Sequence, residues 1–96
     1  HDVLIANIAH AGDGNLHPLI LTPPGDDDAR ERAQLAFGEI IADALELGGT
    51  VTGEHGVGLL KRDGLHAELS GEVVAMQRAV KAALDPHGIL NPGKVL

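Results

Sequence analysis

The dipeptide Asp13-Gly14 most constrains the fold, because it interrupts a β-rich stretch that runs from residue 3 to residue 22. Both central positions of a type I′ turn need a positive φ angle, and this dipeptide is a typical choice for them. If Asp13 and Gly14 form a two-residue loop, His10 lies directly opposite His17 on the adjacent strand. The Cβ atoms of the two histidines are then about 5 Å apart on one face of a β-hairpin.

A long amphipathic helix is predicted after this hairpin. Pro23-Pro24-Gly25 ends the second strand, and residues 26–28, all aspartate, provide an N-cap and the negative charge that a helix N-terminus favours. Apolar residues then recur at spacings of three and four as far as Gly48-Gly49, which ends the helix. The apolar stripe comprises Ala29, Ala33, Ala36, Phe37, Ile40, Ile41, Ala44 and Leu45.

The second half of the chain is predicted to contain a short strand, a glycine-rich loop and a final helix. Residues 50–52 are rich in β-branched side chains, and three glycines in the next six residues disfavour a regular element. The helix begins near Ser70 and ends before Pro86. Its predicted apolar face consists of Val73, Met76, Gln77, Val80 and Leu84. These elements indicate an α+β fold, an antiparallel β-hairpin packed with two longer helices.

The composition excludes several classes of function. The chain has 96 residues, which is one domain at most, and a formal net charge of −7. Phe37 is the single aromatic residue, so the stacking rings that nucleic-acid binding uses are missing, and the acidic net charge argues against a basic binding surface. We therefore expect no nucleic-acid partner. The absence of cysteine excludes disulfides and thiolate metal sites. No apolar run approaches the ~18 residues of a transmembrane segment, and we expect a cytoplasmic location.

Two clusters of residues could carry chemistry. A cross-strand pair of His10 and His17 could bind one divalent metal ion, although both rings could equally flank an ordinary hairpin turn. In the glycine-rich loop, Glu54 and His55 could supply a third ligand and a proton-transfer group. Glycine loops with a charged pair are common, so this second pattern alone leaves both interpretations open. The other three histidines, His1, His66 and His87, are expected to have no role. Two basic pairs are expected to form solvated helix faces: Lys61 with Arg62, and Arg78 with Lys81.

Three segments in fixed order resemble a known family. They are residues 10–17 (HAGDGNLH), 48–58 (GGTVTGEHGVG) and 81–94 (KAALDPHGILNPGK). Together they resemble the C-terminal end of the FAD-linked oxidases of the vanillyl-alcohol oxidase superfamily. That group includes the flavin-binding chain of glycolate oxidase, D-lactate dehydrogenase and D-2-hydroxyglutarate dehydrogenase. The similarity extends over residues 3 to 96.

The resemblance implies roles for particular residues. It implies that His10, His17 and Glu54 bind a divalent metal, zinc or manganese, in agreement with the hairpin argument. His55 resembles the base that takes the proton of the substrate hydroxyl. A second group resembles residues that lie near the flavin ring: Asn15, Asn91 and Lys94.

The residue two positions after His17 bears on the substrate. This position holds Leu19, where the family's hydroxyglutarate enzymes have an asparagine that contacts substrate. The resemblance therefore implies a small 2-hydroxy acid of the glycolate or D-lactate type, which has no second carboxylate.

The resemblance also implies that residues 1–96 are the C-terminal portion of a substrate (cap) domain with a ferredoxin-like sheet, and that the N-terminal FAD-binding domain is missing. The chain opens with His1 and continues directly into an apolar stretch, which is typical of an excised piece. We therefore expect the fragment alone to be inactive and to self-associate as a homo-oligomer, because a two-stranded ribbon is marginal in water.

Two other functions stay open at the level of sequence. The chain could be a stand-alone metal-binding or oligomerisation module without catalysis. A small metallohydrolase that uses His10, His17, Glu54 and His55 is disfavoured, because one hairpin and one loop would have to close its site.

Overall fold

The computed structural model describes all 96 residues, and its fold is α+β, as predicted. An antiparallel hairpin of β1 (Leu4–His10) and β2 (Asn15–Leu21) is followed by α1 (Asp27–Glu46), α2 (Arg62–Glu68) and α3 (Gly71–Leu84). The chain divides into a first unit, His1–Gly48, and a second unit, Gly49–Leu96. The helices are all too short or too polar to cross a bilayer. The strand predicted at residues 50–52 is wrong, because that segment is irregular.

The hairpin turn differs from the predicted type I′ loop. Residues Ala11–Asp13 form a single 3-10 turn, and Gly14 closes it with a φ of 69°, donating its N–H to the Ala11 carbonyl at 3.3 Å. A type I′ turn needs two consecutive residues with positive φ, and only Gly14 of the dipeptide has one. The loop therefore contains four residues instead of two, and the prediction of the loop was wrong.

The longer loop changes the strand register by two residues. His10 pairs with Asn15 and Ile8 pairs with His17, so the predicted direct pairing of the two histidines is wrong. Side chains alternate between the faces of a strand, so a shift of two residues leaves every side chain on its predicted face. His10 and His17 consequently lie on the same face as diagonal neighbours.

The first unit is completed by α1, which contacts β2. The Asp26 side chain caps the helix by accepting a hydrogen bond from the Ala29 N–H at 2.9 Å, as the sequence predicts. The predicted stripe is correct: Ala29 and Ala36 are buried and its other members are half-buried. The paired strand residues Ile5 and Ile20 are half-buried as well.

In the second unit, the buried face of α3 differs from the predicted apolar face. Ser70 caps the helix, its hydroxyl accepting a hydrogen bond from the Val73 N–H at 3.4 Å. The buried residue is Val74, whereas three residues of the predicted face are 55 to 77% exposed: Met76, Val80 and Leu84. The inward line therefore runs from Val74 through half-buried Gln77 and Lys81.

A buried aspartate, Asp85, ends this inward line and anchors the segment that follows α3. Its carboxylate accepts hydrogen bonds from the backbone N–H groups of Ile89 and Leu90, both at 3.0 Å, and from the Lys81 ammonium. Lys81 also donates to the Leu90 carbonyl at 2.6 Å, so the prediction that it is a solvated residue was wrong. The Lys81 ammonium, together with the two N–H groups, holds the pKa of Asp85 below its usual 3.8 against the opposing effect of burial.

We predict that Asp85→Asn lowers the free energy of unfolding at neutral pH, because the amide cannot pair with the Lys81 ammonium as a carboxylate does. A lowered pKa in the folded state means that the stabilisation is complete above pH 3.8 and is lost as pH falls through the folded-state pKa. The difference from wild type should therefore shrink in acid. Urea denaturation between pH 2 and pH 7 measures it, with the exposed Asp43→Asn as control. A difference that does not change with pH would contradict this assignment.

Candidate metal centre

His10 and His17 form a close pair on one face of the hairpin. Their rings meet edge to face, with centroids 5.3 Å apart and an interplanar angle of 87°. One ligand nitrogen of each lies within 4.8 Å of the other. Two nitrogens on the same zinc ion are at most about 4.2 Å apart, twice a Zn–N bond of about 2.1 Å. A small side-chain rotation would therefore let both rings bind one ion, and the pair fits a metal.

Asn15 shares this face with the two histidines. It pairs directly with His10 and is half-buried, as His17 is, whereas His10 is exposed. The turn end of the hairpin therefore presents two imidazoles and one amide side by side. The other half of the same face is apolar, because Leu19 and Ile8 follow at the alternate positions.

Glu54 and His55 lie in the second unit, in the irregular segment that precedes α2, and both are exposed. Two contacts anchor the chain just before them. Val51 is 3% exposed, and its N–H donates to the Glu68 carboxylate at 2.9 Å. The Thr50 hydroxyl donates to the same carboxylate at 2.8 Å. The chain segment that leads into the loop is therefore fixed to α2 through Glu68.

Thr52 and Lys61 form a second set of contacts within this loop. The Thr52 hydroxyl donates to the Gly56 carbonyl at 3.1 Å and accepts a hydrogen bond from the Lys61 ammonium at 3.2 Å. Lys61 is half-buried, so the prediction that it is solvated was wrong. Nothing in the spacing of a lysine that follows a glycine-rich loop distinguishes this contact from exposure to solvent.

The tail that carries Asn91 and Lys94 returns to the end of the glycine-rich loop. The Val95 N–H donates to the Gly58 carbonyl at 2.8 Å, and the Arg62 guanidinium donates to the Gly93 carbonyl at 3.3 Å. Arg62 is therefore a third basic residue, after Lys81 and Lys61, that was wrongly predicted to be solvated. Asn91 and Lys94 are exposed at the two ends of a tight turn, in which the Lys94 N–H donates to the Asn91 carbonyl at 3.2 Å.

Comparison with known proteins identifies the family. Residues 1–95 match the C-terminal domain of the FAD linked oxidases. The chain is 50% identical to the glycolate oxidase protein GlcD of Bacillus subtilis, with 99% of the chain covered, and 44% identical to GlcD of Escherichia coli K12, with 98% covered. It is 42% identical to the mitochondrial D-lactate dehydrogenase [cytochrome] of Arabidopsis thaliana, again with 98% covered.

The match covers only part of these relatives. The chain spans 20% of the length of the Bacillus subtilis protein, 19% of the Escherichia coli protein and 17% of the Arabidopsis thaliana protein. Because the matching region is nearly the whole of this chain and the similarity far exceeds a resemblance of short motifs, the chain belongs to the FAD-linked oxidase family, as its C-terminal domain.

Proposed function

We propose that the chain is the C-terminal portion of the substrate (cap) domain of an FAD-dependent enzyme that oxidises a small 2-hydroxy acid to the 2-oxo acid. Membership of the FAD-linked oxidase family supports this proposal, as do the glycolate and D-lactate substrates in the names of its relatives. The observation that carries it is the His10–His17 pair, whose ring nitrogens can meet at one ion. The domain that binds most of the FAD is proposed to lie outside these 96 residues.

We propose that His10, His17 and Glu54 bind the divalent metal. Two imidazoles and one carboxylate are a donor set that catalytic zinc sites use, and manganese accepts the same donors. Three protein ligands would leave coordination positions for the hydroxyl and one carboxylate oxygen of a 2-hydroxy acid. The metal, when bound, lowers the pKa of the substrate hydroxyl by several units, as zinc does for water.

His55 is the proposed base, because it neighbours the proposed ligand Glu54 in a loop whose entrance is fixed. An imidazole that accepts the hydroxyl proton lets the hydride on carbon 2 leave as the carbonyl forms. The acceptor of that hydride would be FAD, which supplies the redox chemistry when it is bound. We propose that three polar side chains face the flavin: Asn15, Asn91 and Lys94. Asn15 lies directly beside His10, and the Asn91–Lys94 turn is held near Gly58, at the end of the loop that carries His55.

We predict that His17→Ala lowers the affinity for Zn²⁺ or Mn²⁺ at least about tenfold, since loss of even a hydrogen-bonding partner of a ligand costs 10- to 100-fold. His66→Ala is the matched control, because His66 is exposed on α2. Competition with a chromophoric chelator measures both affinities. Equal affinities for the two variants would exclude the hairpin pair as the metal site.

Leu19 generates the prediction about substrate. It lies on the same face as His17, two positions along β2, and its side chain cannot donate a hydrogen bond to a second carboxylate. A full-length protein that joins this chain to its FAD-binding domain should reduce an artificial acceptor with glycolate or D-lactate and much less with D-2-hydroxyglutarate. Leu19→Asn should narrow the difference in acceptor-reduction rate between these substrates.

Leu16→Asn is the control for this experiment, because Leu16 lies on the opposite face of the hairpin. A wild-type preference for D-2-hydroxyglutarate would overturn the proposed substrate class. Metal binding without any flavin-dependent turnover would favour the alternative function, a stand-alone metal-binding or oligomerisation module.

We also propose that the isolated 96-residue chain forms a homo-oligomer through the hairpin face that bears the histidines. Four large apolar side chains of this face are 46 to 67% exposed: Leu4, Ile8, Leu19 and Leu21. A second copy packed against this face would cover them. Ile8→Lys should weaken association in sedimentation experiments, whereas Leu47→Lys, at an 89% exposed position beyond α1, should not. A wild-type monomer at high micromolar concentration would refute the proposal.

A further inference from the structure

The loop between Thr52 and Gly56 carries Glu54 and His55, and contacts from its own unit close it. We propose that Thr52 and Lys61 are positioning residues, which fix this loop and thereby hold Glu54 for the metal and His55 for the substrate proton. The inference rests on the proposed function, because it takes Glu54 as a metal ligand and His55 as the base. It adds two residues that act through this pair. Neither residue was singled out for this role by the sequence.

The direction of each hydrogen bond in this arrangement is forced. An ammonium group can only donate, so the Thr52 hydroxyl must use a lone pair to accept from Lys61 at 3.2 Å. A backbone carbonyl can only accept, so the same hydroxyl must direct its single proton to Gly56 at 3.1 Å. The cation thus orients the hydroxyl towards the carbonyl, and the three groups form one chain of hydrogen bonds with a single polarity.

The loop needs such a contact because nothing regular holds it. Glu54 and His55 are in neither helix nor strand, and glycine stands on both sides of the pair. Gly56 has a φ of 81°, a conformation that glycine adopts without steric cost. Ordering a flexible glycine backbone costs conformational entropy. The hydrogen bond from Thr52 to the Gly56 carbonyl restricts the segment between these residues, and with it the side chains of Glu54 and His55.

The backbone of Lys61 is held by two hydrogen bonds. Its own N–H donates to the Val57 carbonyl at 3.3 Å, and its carbonyl accepts a hydrogen bond from the Leu65 N–H at 2.9 Å, which fixes its backbone at the start of α2. On the other side of Thr52, Val51 is buried and hydrogen-bonded to Glu68. The Thr52 hydroxyl is therefore held between two anchored segments, and the Gly56 carbonyl is the partner that it restrains.

Thr52→Val tests the proposal most directly, because valine keeps the shape of threonine and removes only the hydroxyl. Thr52→Ser is its matched control, since serine keeps both hydrogen bonds. The effect should be smaller than the 10- to 100-fold cost of losing a direct partner of a metal ligand, so we expect Thr52→Val to lower metal affinity roughly 3- to 10-fold. Thr52→Ser should stay near wild type. The measurement uses the full-length protein loaded with FAD.

Lys61→Met provides the second variant. If Lys61 acts only by orienting the Thr52 hydroxyl, Lys61→Met should lower metal affinity in the wild-type background and have little further effect in the Thr52→Val background. Arg78→Met, at an exposed position on α3, is the control for loss of one positive charge. Equal losses from Lys61→Met in both backgrounds would overturn the positioning role of Lys61. If Thr52→Val does not fold, Lys61→Met against Lys61→Arg, which can still donate to Thr52, decides the question.

Hydrogen exchange separates this proposal from the proposed function. Thr52→Val should raise amide exchange in peptides that cover residues 53–58 while exchange in α3 stays unchanged. If exchange rises but Glu54→Gln leaves metal affinity intact, the metal proposal fails and the positioning of the loop stands. If Glu54→Gln abolishes metal binding but Thr52→Val changes neither loop exchange nor affinity, the metal proposal stands and the role of Thr52 is refuted.

Discussion

The alternation of side chains along β1 and β2 is the constraint on which the candidate metal centre depends. Two residues from different strands share a face only if the register gives them the right parity. The observed four-residue loop and the predicted two-residue loop both have an even number of residues, so both place His10 and His17 on one face. A loop of three residues would turn the two rings to opposite faces. The length of the turn therefore matters to the site through its parity.

The elements that local sequence determines were predicted well. The cap at Asp26 and the apolar stripe of α1 depend on residues within a few positions of one another, and Ser70 defines the start of α3 in the same way. The hairpin was predicted wrongly in its turn, where Asp13 joins a 3-10 turn and only Gly14 lies in the left-handed region, and therefore in its register. Both turns satisfy the same dipeptide, so the sequence could not distinguish them.

What the sequence could not predict is a set of polar contacts in the second unit. Three basic side chains expected in solvent donate instead to groups in the glycine-rich loop, at the end of α3 or in the tail: Lys61, Arg62 and Lys81. A long basic side chain has apolar methylenes and a charged end. The sequence pattern around it is therefore the same whether the charged end is solvated on a helix surface or bound to a loop. Asp85 was missed for a different reason: the backbone groups that it binds follow Pro86, which indicated only the end of the helix.

These contacts matter because the candidate chemical residues lie outside regular structure. Glu54, His55, Asn91 and Lys94 all belong to irregular segments, where the backbone bonds of a helix or strand are not available to fix a side chain. Glu68, Thr52 and Lys61 restrain the loop, while Asp85 and Arg62 restrain the tail. A charged or hydroxyl side chain can bind carbonyl and N–H groups at an angle that suits an irregular loop, which apolar packing cannot. The second unit therefore relies on polar anchors where the first relies on the regular geometry of a hairpin.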